Sequence, residues 1–142
     1  MNTRLTRLLA AAGAIPFLIG AFAPLLGVEL DTRHGDIQAA ALAYGLTIAS
    51  FMAGVHWGTA LSATRPLPVN LFISSNVVAL AAWFVYLFAR VEAAALVLAL
   101  LFAVLLAIDW RLYRSGVIDV DYWHTRLGVT IVVIACLLFM AR

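Results

Sequence analysis

Charge is what this sequence has least of. Of its 142 residues only 11% are Asp, Glu, Lys or Arg, against about 25% in soluble domains. Lysine is absent, and all nine basic residues are arginine. They are scattered among short polar breaks, so the net charge of +2 forms no basic patch and no nucleic-acid partner is expected. Cys136 is the sole cysteine and lies in the apolar run Val132 to Met140. An internal disulfide is therefore excluded, and a structural zinc site would want several such ligands. Cys136 reads as a small packed or lipid-facing residue. The chain also has no phosphate-binding P-loop, no G-x-G-x-x-G after a strand, no HExxH and no CxxC, so soluble-cofactor chemistry has no motif. No metal ligand set is expected.

Apolar residues are what it has in excess, at 65%, and they fall in blocks close to the length of a bilayer crossing, about 20 residues. Five segments run over residues 5–28, 37–63, 68–89, 93–113 and 122–141. The breaks between them are ELDTRHGD, TRPLP, RVE and RSGVIDVD. Connections this short force successive helices to run antiparallel. The expectation is an all-α protein: a polytopic membrane bundle of five transmembrane helices with short loops, forming one domain over residues 1–142. The first segment has features of a signal peptide, but its apolar stretch exceeds the usual signal core of about 7–15 residues. It is read as a retained helix. Pro16 and Pro24 inside it each remove a backbone donor and are expected to kink it.

Arginine placement orients the bundle. With the N-terminus inside, Arg4, Arg7, Arg65, Arg111, Arg114 and Arg126 lie at cytoplasmic ends, and Arg33, Arg90 and Arg142 lie opposite. That asymmetry favours a cytoplasmic N-terminus. Trp57, Trp110 and Trp123 then fall at the inner interface as anchors. Helices in lipid associate through close backbone contact at small residues. Gly13 and Gly20, seven apart, and Gly54 and Gly58, four apart, are the expected packing positions.

Depth sorts the polar residues, because a helix rises about 1.5 Å per residue. Asp109 and Arg126 each lie on the order of 6 Å inside the same boundary, on sequential antiparallel segments. Opposite charges at matching depth are costly alone and tolerable together, so they are expected to pair. Asn70, Ser74, Ser75 and Asn76 enter the third segment from that end, and His56 and His124 fall in the same layer. The candidate polar site is therefore His56, Asn70, Ser74, Asn76, Asp109 and Arg126. The opposite half is nearly all apolar apart from Tyr44, Thr47 and Tyr86. A site, if present, opens inward.

The stretch Tyr44 to Gly58, containing Ser50-Phe51-Met52-Ala53-Gly54-Val55-His56-Trp57-Gly58, resembles the signature of a family of small membrane proteins designated domain of unknown function 3429. Ile15-Pro16-Phe17, Asp109, Trp123 and Arg126 are similar to the family pattern as well. Where family members often carry a proline before the last helix, this chain has Val120-Asp121. The resemblance implies a five-helix protein of the bacterial inner (plasma) membrane and supplies no activity.

Packing features outnumber chemical ones, so the leading functional expectation is a non-catalytic accessory or scaffold subunit in contact with the bilayer and with other membrane proteins. The alternative is a small-molecule or proton-linked carrier or binder with a pocket around His56, whose unperturbed pKa of about 6.5 suits proton exchange. An enzyme using His56 as base is a third reading, and nothing local in the sequence sets a nucleophile against it. A haem held by His56 and His124 is weighed and set aside in favour of no cofactor.

Overall fold

The computed structural model describes residues 3–28 and 35–142; Arg33 and most of the first polar break lie outside them. The regular elements among the described residues are all helices, with no strand. Five stretches are long and apolar enough to cross a membrane. The first is divided into α1 (Thr3–Ala12) and α2 (Ile15–Phe22), followed by a 3-10 turn at Pro24–Leu26. Then come α3 (Ile37–Ser62), α4 (Leu71–Phe88), α5 (Val91–Arg114) and α6 (Val120–Met140).

The helix ends follow from local chemistry. Asp36, Asn70 and Asp119 cap α3, α4 and α6, each accepting a hydrogen bond from the backbone N–H three residues on and so satisfying a donor that no preceding turn can reach. Helix α5 ends in a Schellman turn: Val117 N donates to Leu112 O, Gly116 N donates to Tyr113 O, and Gly116 sits at φ 73°. That left-handed geometry favours glycine and sends α6 back along α5.

The first crossing differs from the single kinked helix read from the sequence. It breaks at Gly13 and Ala14, and Pro16 then falls in the first turn of α2. Proline lacks the N–H that would bond the carbonyl of Ala12, and its ring crowds that carbonyl. The chain therefore ends one helix and begins another, because proline is tolerated in a first turn.

The central contacts are close. Phe17 is fully buried and meets Tyr44 and Phe102 edge-on, at centroid distances of 5.4 and 5.9 Å. A methyl group on Gly20 would collide with the Cβ of Ala41, so α2 and α3 approach there as small residues allow. Helix α3 packs on α2, α4 and α5, and α5 packs on α3, α4 and α6. Helix α1 rests on α6 and barely touches α3. Phe84, Phe88, Leu96, Leu100 and other large apolar side chains are exposed on the outside, as a lipid-facing surface requires.

Two packing expectations need correction. Gly54 and Gly58 are exposed, and a Cβ on either would meet nothing within 4 Å. They lie on the face of α3 turned away from its neighbours. Gly45, unnoticed in the sequence, is the packed glycine of that helix, with Phe17 and Leu98 each 3.2 Å from an added Cβ. Trp123, expected as an interface anchor, turns toward the protein. It is buried and stacks on Tyr113 at 5.7 Å, beside Trp110. Trp57 and Trp110 are exposed.

Candidate functional site

Three of the six candidate side chains meet, one from each of three helices. Asp109 of α5 accepts from Arg126 Nε of α6 at 2.9 Å through Oδ2, and its Oδ1 lies 2.8 Å from His56 Nε2 of α3. His56 and Asp109 are each 1% exposed. A carboxylate only accepts, so the imidazole Nε2 carries the hydrogen. His56 Nδ1 is then an unprotonated nitrogen, buried and without a partner. This arrangement fits the neutral ring. A second N–H on Nδ1 would leave a cationic donor buried and unpaired, which is costly.

The other three candidates stay apart. Asn70 is spent on capping α4, Ser74 donates to Leu71 O, and Asn76 donates to Phe72 O at 2.8 Å. Short polar side chains on a helix readily return to their own backbone in this way. The Ser and Asn residues of α4 are thus unavailable to His56, which reaches across to α5 instead. An apolar cluster of Leu71, Ile108 and Leu112 packs with Leu67 and Val69 from the α3–α4 loop. It lies between the triad and the loop end of the bundle, so the layer that reads as inward-opening in the sequence is closed there. His124 is exposed on the first turns of α6, far in character from the sealed His56, and no trio of His, Cys, Asp or Glu is placed to hold a metal among the described residues.

The opening is on another side. Because α1 leans on α6 and leaves α3, a cavity of about 440 Å³ lies between α1, α3 and α6, beside the break at Gly13. Its walls are apolar, with Leu9, Phe17, Ile48, Phe102 and Val133 among them. Its polar lining includes Arg126 and Thr130 of α6, one turn apart. Each carries a buried polar atom with no hydrogen-bond partner, Arg126 Nη2 and Thr130 Oγ1. His56 does not line the cavity; it stands behind Arg126, holding the shared carboxylate. Phe51 and Leu9, 65% and 64% exposed, flank the gap between α3 and α1. Phe51 is near the middle of α3, so the gap faces sideways, at membrane depth.

Thr130 is the residue that sequence reasoning missed. The signal for it was its spacing of four from Arg126, which puts both on one helical face. Midway along α1, Arg7 Nη2 donates to Asp121 Oδ1 at 2.7 Å in an exposed ion pair that ties α1 to the start of α6.

The comparisons with known proteins agree with this architecture. Transmembrane protein 69 of Xenopus tropicalis is 41% identical over 95 residues, a match covering 63% of this chain and 36% of that protein. The chain thus spans about a third of the length of the curated relative it matches. No solved structure matches it. The profile of the family described as protein of unknown function (DUF3429) matches residues 2–142. Five membrane-crossing helices and a match over the whole chain make this protein a member of the DUF3429 family.

Proposed function

We propose that this protein is a non-catalytic small-molecule binder of an inner membrane, holding a lipophilic guest in the cavity between α1, α3 and α6. Its N-terminus lies on the cytoplasmic side in this reading, as the arginine asymmetry favours. The observation that carries the proposal is the pairing of an apolar cavity of about 440 Å³ with buried polar atoms left unpartnered on two of its lining residues. Cavities of about 300–1,000 Å³ suit small organic molecules, and such sites combine apolar walls with a few polar groups. Buried polar atoms without partners are rare because each costs free energy. A guest would complete this pair.

The triad serves the site by position. Asp109 holds the Arg126 guanidinium through Nε, leaving the outer nitrogens beyond that bond, and His56 fixes the other carboxylate oxygen. The test is to purify the protein in mild detergent, extract it with organic solvent and analyse the extract by mass spectrometry. Wild type should carry a roughly stoichiometric lipophilic compound that Val129→Phe, which fills the cavity wall, lacks. Equal carry-over by the two proteins rejects the proposal.

A second reading, an accessory subunit seated against another membrane protein, draws on the exposed Gly54 and Gly58, whose open space would admit a neighbouring helix. Native electrophoresis after gentle extraction separates the readings. Migration as a small free species counts against a subunit and leaves the binder untouched.

A further inference from the structure

We infer that the guest bears a neutral carbonyl head on an apolar body, the chemistry shared by alkylated quinones and acyl esters. This rests on the binding reading above and names its ligand class. Both polar atoms left over beside the cavity belong to groups that donate: the Arg126 guanidinium has only donors, and the Thr130 hydroxyl has one. The head they would hold must therefore accept. Tyr44 adds a hydroxyl to the same lining, where the Thr125 hydroxyl already donates to Asp121 O.

Charge decides which acceptor. Asp109 and Arg126 balance each other, and the neutral His56 that the geometry fits adds nothing. Tyr122, also on the lining, is a neutral phenol, and the ion pair of Arg7 with Asp121 is closed within itself. A carboxylate head would bring an unbalanced negative charge to within a side chain of Asp109, in surroundings that screen it poorly. A carbonyl oxygen accepts from the same donors without that cost. The volume of about 440 Å³ holds a head group and the first part of a tail. The remainder would leave between Leu9 and Phe51 into the bilayer.

The test measures binding of four probes to the detergent-solubilised protein by thermal shift and equilibrium competition. The probes are decylubiquinone, decanoylglycerol, dodecanoate at a pH where it is ionised, and decylbenzene, which has no acceptor. One or both carbonyl probes should bind at least tenfold tighter than decylbenzene and dodecanoate. The preferred one of the two tells a quinone source from an ester source. Thr130→Val, close in volume and unable to donate, should weaken the carbonyl probes about fivefold to tenfold and leave decylbenzene unchanged. Arg126→Gln tests the second donor, and Thr130→Val keeps the test decisive if that variant does not fold.

Equal binding of decylbenzene and the carbonyl probes, or no effect of Thr130→Val, overturns the carbonyl head while the binding cavity stands. Tighter binding of dodecanoate overturns neutrality. No shift with any probe, in wild type as in Val129→Phe, means the cavity holds water alone and rejects both readings.

Discussion

At the scale of single residues, three glycines that look alike in the sequence have unlike surroundings. Gly20 sits against Ala41 with no room for a methyl, whereas Gly54 and Gly58 face open space. Gly20→Ala should therefore cost about 1–3 kcal/mol through overpacking. Gly54→Ala and Gly58→Ala should fall within about 1 kcal/mol of wild type, on the stabilising side, since alanine is the better helix former. Unfolding in mixed micelles of increasing SDS fraction measures both. The sequence marked these residues as small but could not say which way they point. In a soluble helix polarity labels the outward face, but in lipid both faces are apolar. For the same reason the inward facing of Gly45, Thr130 and Trp123 is not legible in the sequence. Asp109 and Arg126 were legible because depth, unlike facing, can be counted along the chain. His56 was legible as a candidate, and its actual partner was not, since that depends on how α3 is rotated toward α5.

Helices are the scale at which the triad matters for stability. One carboxylate joins α3, α5 and α6 through its two oxygens. Asp109→Ala would leave a buried guanidinium uncompensated and should cost about 3–5 kcal/mol. Asp109→Leu combined with Arg126→Leu should recover much of that loss, because removing both charges also removes the cost of burying them. The same SDS titration, followed by helical circular dichroism, reads both variants. If the double variant is no better than the single one, the pair is not what binds these helices. The number of crossings was plain from the apolar blocks, and the caps at Asp36 and Asp119 stand in the polar breaks before those blocks, whereas Asn70 caps α4 from inside the block that begins at residue 68. The division of the first crossing was only half legible. Pro16 announced a disturbance, and the choice between a bend and a break depended on what α1 could lean against.

For the whole molecule, five crossings place alternate loops on opposite sides of the membrane. In a Cys136→Ala background, single cysteines at Thr64 and Val117 should label from one side with an impermeant maleimide, and one at Arg90 from the other. In intact cells the orientation favoured by the arginines makes position 90 the one labelled from outside. Labelling of all three from the same side would refute the topology. The gap between Leu9 and Phe51 has a consequence of its own. A guest entering there comes from the surrounding leaflet, so occupancy follows its mole fraction among the lipids and not its molarity in buffer. Adding empty vesicles at a fixed amount of guest should then unload the protein, although nothing in the aqueous phase has changed.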